Sequence, residues 1–131
     1  MNKVNINIAV IGLGQIGNYL LSELKNKKKD IKLLTGKNIN IVAISAKNKN
    51  KKRKFKINKK IFYKNPLEII NNKKIDVLFE CIGQANGISK KIVEKALKNK
   101  IHVITPNKAL ISKYGDFLSK IAEKKKSKSR V

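Results

Sequence analysis

Three glycines set the first chemical signal in this chain, in the order Gly12-Leu13-Gly14-Gln15-Ile16-Gly17. In a strand–turn–helix setting each has a separate task. Gly12 permits the tight turn, Gly14 lets backbone approach a pyrophosphate, and Gly17 lets the helix lie close on the strand. Leu13, Gln15 and Ile16 complete a candidate cofactor-binding turn. A helix opening at Gln15 adds free amide donors and a positive dipole end, both suited to phosphate. The spacing alone is weak evidence. Its place between an apolar β-rich run and an amphipathic helix is what makes it informative.

A second candidate position follows the strand Ile39 to Ser45, at Ala46 and Lys47. NAD-binding domains usually carry an acid there to hold the ribose 2′-hydroxyl. Here the next acid after Ser45-Ala46-Lys47 is Glu68. A carboxylate would repel a 2′-phosphate, whereas Lys47 and Arg53 would attract one. This favours NADP over NAD. Two more strand ends hold candidates, since ligands in such sheets bind beyond the carboxyl ends of strands. One is Ile82-Gly83, beside the nicotinamide half of the site. The other is Asn107-Lys108, where an ammonium could hydrogen-bond a substrate oxygen or the cofactor. Cys81 and His102 read as structural. Glu80 is either a buried, hydrogen-bonded carboxylate or a residue facing a sheet edge.

These positions need a scaffold, and apolar spacing supplies one. Short β-rich runs occur at 6–11, 39–45, 75–82 and 101–105. Helical spacing marks 15–26, 66–72, 88–97 (which Asn86 could cap) and 110–121. The segment 27–38 is mostly polar, contains Gly36, and reads as a loop. Residues 47–60 hold nine basic residues and no acid, which predicts a solvated loop. Strands alternating with helices imply an α/β fold: a doubly wound, Rossmann-type parallel sheet in a single domain. The domain is expected over 1–123, lacking its last strand, with 124–131 a basic disordered tail.

Composition narrows the function classes. The chain has 131 residues, 32 Lys plus Arg against 8 Asp plus Glu, and a net charge of +24. Thirty of the basic residues are lysine, and Lys, Asn and Ile fill 66 positions. All three have A/T-rich codons, so most of the charge reads as compositional bias. Scarce arginine and 5% aromatic content weaken a nucleic-acid reading, which favours arginine forks and stacking rings. One cysteine and one histidine argue against a disulfide framework and a Cys/His metal site. No segment has the roughly 18 to 20 apolar residues of a membrane span, and the first strand does not read as a signal peptide. A cytoplasmic protein is expected.

The glycine motif, Ile44-Ser45-Ala46-Lys47, Phe79-Glu80-Cys81-Ile82-Gly83, Val93-Glu94-Lys95-Ala96-Leu97 and His102-Val103-Ile104-Thr105-Pro106-Asn107-Lys108-Ala109-Leu110, followed by Tyr114-Gly115, resemble homoserine dehydrogenases in the same order. The resemblance covers 5–123, and Asn-Lys-Ala-Leu is its most family-specific part. Pro106 stands where the family usually has alanine. The resemblance implies reduction of aspartate semialdehyde to homoserine with a nicotinamide cofactor, on the way to threonine and methionine. It also implies that Lys108 contacts cofactor and substrate at the site of hydride transfer. The family continues into a substrate-binding and dimerisation domain. This chain is therefore expected to be the NADP-binding half alone, inactive by itself, with an uncovered sheet edge that makes it aggregation-prone. Two other classes compete: a nucleotide-sensing regulatory module, which has no reason to carry Asn-Lys-Ala-Leu, and a basic nucleic-acid binder.

Overall fold

A computed structural model describes residues 4–46, 58–72, 74–82, 87–105 and 129–130. Its elements are β1 (Asn5–Ile11), α1 (Gln15–Asn26), α2 (Lys28–Thr35), β2 (Asn38–Ser45), α3 (Pro66–Asn72), β3 (Val77–Glu80), α4 (Ile88–Lys98), β4 (His102–Ile104) and β5 (Ser129–Arg130). A 3-10 turn, Lys59–Ile61, precedes α3.

All strand pairs are parallel, in the order β2-β1-β3-β4-β5. Beyond β2, Phe62 makes an isolated parallel bridge with Ile44, and the Tyr63 amide donates to the Ile44 carbonyl at 2.8 Å. Counting that bridge as a rudimentary strand gives the spatial order of the doubly wound dinucleotide fold. The order reverses between β1 and β3, which opens a crevice at their carboxyl ends.

Alternation along β1 explains the two-sided core. Ile8 and Val10 face one layer with Leu13, Leu21, Ile39 and Ile44, against which Leu20, Leu24 and Ile31 pack from α1 and α2. Ala9 and Ile11 face the other, with Leu78, Val103 and the buried Ile69, Ile92, Val93, Ala96 and Leu97 of α3 and α4. A strand buried on both faces reads as a continuous apolar run, as β1 does after Asn7. The β1–β2 register shifts between Ile8 and Ala9, which pair with Ile41 and Ala43. Val42 is the extra residue of that bulge.

Four sequence expectations change. The segment 27–38 is mostly helix, not loop. Gly36 does not break it but ends it, at φ 73° with its amide donating to the Lys32 carbonyl, as a C-terminal glycine does. The polarity was misleading because α2 buries little: Leu33 and Leu34 are 84% and 85% exposed. At the end of the expected loop, Lys59–Ile61 form a 3-10 turn, started by Asn58, whose side chain accepts from the Lys60 amide at 3.0 Å. β3 is shorter than 75–82, because Asp76 turns its carboxylate to the Asn7 amide at 2.8 Å. In the segment expected to be a disordered tail, Ser129 and Arg130 pair with Val103 and Ile104. The outer edge of β4, expected to lack a further strand, offers the backbone groups that this pair satisfies. The expected helix at 110–121, the Asn86 cap and residues 47–57 lie outside the described residues.

The packing separates two isoforms of the same change. Ile92→Ala is expected to cost about 2–5 kcal/mol, because it opens a cavity beneath the sheet. Leu34→Ala is expected to stay within about 0.5 kcal/mol, since that side chain is mostly in water. Urea unfolding midpoints of the two variants check the contrast.

Candidate functional site

The glycine turn is held from below by backbone. Gly12 has φ 94°, a region that favours glycine. Its amide donates to the Ser45 carbonyl at 2.8 Å, joining the ends of β1 and β2, and the Cys81 amide donates to the Ile11 carbonyl at 2.7 Å. A β-carbon on Gly12 would lie 2.8 Å from the Cys81 carbonyl carbon and 2.9 Å from the Ile82 nitrogen. The turn therefore rests directly on the peptide after β3. A β-carbon on Gly17 would overlap the Gly12 carbonyl oxygen, so α1 approaches the turn as closely as glycine allows. Asn18 adds a further tie, its Nδ2 donating to the Leu13 carbonyl at 2.9 Å.

Gly14 is different. Among the described residues, a β-carbon there would meet nothing within 4 Å. Gly14 occupies the N-cap of α1 in an extended conformation, with no side-chain cap and no acid in the first turn. The first amides of the helix have no intrahelical acceptor. Open space, glycine and an uncapped positive helix end together fit a pyrophosphate.

The other candidates fall into three groups. Leu13 is buried in the core beside α1, which leaves its backbone for the turn. Gln15 and Ile16 are exposed, Ile16 at 55%; the apolar line of α1 thus begins with a residue outside the core. Ala46 is buried at the end of β2 and Ile82 is half-buried after β3, so both flank the glycine turn. Lys47, Arg53, Gly83, Asn107 and Lys108 lie outside the described residues.

Glu80 resolves to the buried alternative. It is 0% exposed. Its Oε1 accepts from the Ile82 amide at 2.9 Å and from Ser89 Oγ at 3.2 Å. Its Oε2 accepts from Thr105 Oγ1 at 2.8 Å. The sequence motifs include Thr105 only as a strand end and do not include Ser89. The available signal was a pair of hydroxyls, one in the first turn of a helix and one at a strand end, near an acid in an apolar strand. Cys81 sits just after β3, half-buried. Burial, and then the neighbouring Glu80, push its thiol from 9.0 up to about 12, so it is no thiolate nucleophile at neutral pH. His102 is exposed at the start of β4. Among the described residues no group of three or more His, Cys, Asp or Glu could hold a metal ion, and no helix is long and apolar enough to cross a membrane.

Comparison with known proteins now bears on this geometry. The family described as homoserine dehydrogenase, NAD binding domain, matches residues 12–131, glycine turn included. The chain belongs to that family. A homoserine dehydrogenase of Neisseria gonorrhoeae is 34% identical over 119 residues, covering 91% of this chain and 27% of the relative. One from Bacillus subtilis is 28% identical over 122 residues, covering 93% and 28%. A crystal structure of S. aureus homoserine dehydrogenase superposes with a TM-score of 0.89 at 29% identity, covering 98% of this chain and 32% of that one. The chain spans about a quarter to a third of the length of these relatives. As a homoserine dehydrogenase NAD-binding domain it keeps the glycine turn, the switch point and the parallel order of the fold.

Two outcomes follow from the turn. Gly17→Ala is expected to destabilise by about 3 kcal/mol, the upper range of overpacking, whereas Gly14→Ala is expected to leave thermal unfolding nearly unchanged. The second concerns Cys81. At pH 8 its labelling by a thiol reagent in the folded chain is expected to be far slower than in the urea-unfolded chain, because burial holds the thiol protonated. Its folded pKa is raised, so the stability linked to it is complete below pH 9 and is lost as pH rises towards about 12. A pH series of urea midpoints reads the sign.

Proposed function

We propose that this chain is the cofactor-binding part of a homoserine dehydrogenase and that it prefers NADP to NAD. The observation that carries the binding reading is the glycine turn, with Gly14 facing open space at the uncapped start of α1. The NADP preference rests on the end of β2. Ser45 and Ala46 offer no carboxylate to a ribose 2′-hydroxyl, and Lys47 and Arg53 follow in sequence. A cation there favours a 2′-phosphate, which an acid would repel.

Each group of residues then has a task. Gly12, Gly14 and Gly17, with the backbone of Leu13, Gln15 and Ile16, receive the pyrophosphate. Ala46, Lys47 and Arg53 hold the adenosine ribose and its phosphate. Ile82 and Gly83 line the nicotinamide side. Asn107 and Lys108 follow β4 in sequence, and the Lys108 ammonium orients the substrate oxygen. Bound NADPH supplies the hydride that reduces an aldehyde to an alcohol. In the whole enzyme that aldehyde is aspartate semialdehyde and the product homoserine, in the cytoplasmic synthesis of threonine and methionine. The family oligomerises through its other domain. Hydride transfer requires substrate held in a reactive geometry against the cofactor. A chain spanning 27% of a relative is proposed to bind the dinucleotide without turning over the aldehyde by itself.

Titration of the purified 131-residue chain with NADPH, NADH and duplex DNA, each at two salt concentrations, tests this reading. NADPH is expected to bind about 10-fold more tightly than NADH, a difference of ~1.4 kcal/mol, with no aldehyde-dependent NADPH oxidation. Equal affinities would overturn the NADP preference, and measurable turnover the inactivity. Steeply salt-dependent DNA binding without nucleotide binding would replace the reading altogether.

A further inference from the structure

We propose that Glu80 is a positioning residue for the nicotinamide half of the site, acting through the three chain segments that its carboxylate gathers. The proposal rests on the dinucleotide reading above and assigns a task to a group which that reading does not use. A fully buried carboxylate is costly unless it is well hydrogen-bonded. At this position, in a strand between two parallel neighbours, an apolar residue would serve the core without that cost. Among the described residues Glu80 instead accepts hydrogen bonds from at least three groups in separate chain segments. The Ile82 amide belongs to the segment leaving β3, Ser89 Oγ to the first turn of α4, and Thr105 Oγ1 to the end of β4. Ser89 and Thr105 are themselves fully buried, so none of these side chains faces a ligand directly.

The location makes the matching informative. All three donors lie at the carboxyl end of the sheet, on the β3–β4 side of the point where strand order reverses. In this fold the ligand crosses the crevice at that point. The adenosine side, at β2, has an anchor of its own: Gly12 N donates to the Ser45 carbonyl, a bond that does not pass through Glu80. Thr105 is also the residue from which Pro106-Asn107-Lys108 continues in sequence. Fixing Ile82, Ser89 and Thr105 to one carboxylate sets the spacing of the segments on the nicotinamide side, while the glycine turn, which rests on the Cys81–Ile82 peptide, keeps its own bond to the Ser45 carbonyl at β2.

The test compares a whole ligand with half of it. Wild type, Glu80→Gln, Ser89→Ala and Thr105→Val are titrated with NADPH and with adenosine 2′,5′-bisphosphate, which lacks the nicotinamide half. Glu80→Gln and Thr105→Val are expected to weaken NADPH binding about 10-fold, the scale of one lost hydrogen bond. Bisphosphate binding should change less than about 2-fold. A general loosening of the domain would weaken both ligands together, and that result, or no loss of NADPH affinity, overturns the proposal. If Glu80→Gln fails to fold by circular dichroism, Thr105→Val, which keeps its shape, decides on the same ratio. Wild type that binds neither NADPH nor NADH overturns the dinucleotide reading itself, a different outcome from any change in ratio.

Discussion

Two missing β-carbons let three pieces of backbone meet at one point. Gly12 lies on the Cys81–Ile82 peptide, and Gly17 lies on the Gly12 carbonyl. Any side chain at either place would push α1 off the sheet or lift the turn off β3. Because β1, α1 and β3 converge there, the sheet order, the first helix and the crevice share one steric condition. The condition is met by subtraction of atoms, not by an attractive interaction. It is therefore tolerant of what surrounds it, including a surface dominated by lysine.

The opposite solution holds the other half of the crevice. On the β3–β4 side the buried Glu80 carboxyl gathers donors from the segment after β3, from α4 and from the residue after β4. One side of the site is thus set by sterics and the other by polar matching. The two differ in how they fail. A close backbone contact fails when volume is added, whereas a hydrogen-bonded carboxyl fails when a donor is removed and a polar group is left buried without it.

Much of this was legible in the sequence. The glycine spacing, placed after Ile6–Ile11, located the turn, and Leu20, Leu21 and Leu24 located α1 to the residue. The α3 and α4 helices followed from Pro66 and from the spacing of Ile88, Ile92, Val93, Ala96 and Leu97. Where reading stopped, the physical reason is specific. α2 was hidden because its stability comes from local hydrogen bonds and a glycine end, with Leu33 and Leu34 left in water, so no apolar stripe advertises it. The Phe62 bridge was hidden because a single pairing has no periodicity. Glu80 stayed ambiguous because its partners, Ser89 and Thr105, are 9 and 25 residues away and hydroxyls carry no signal until the fold brings them together.

The bond from the Asn7 amide to Asp76 joins residues 69 positions apart, and it has a consequence for how the domain assembles. The unit β1-α1-α2-β2 closes over a far shorter stretch of chain than the pair β1–β3 does. Shorter loops cost less entropy to close, and long-range parallel pairing is the slow step in such topologies. A half-assembled chain would own the whole glycine motif and both of its flanking strands, yet have no floor beneath Gly12. The motif is thus local in sequence, and the pocket is not. A dinucleotide that selects the finished sheet draws the longest loop shut by mass action, so the ligand becomes part of the folding reaction of its own site.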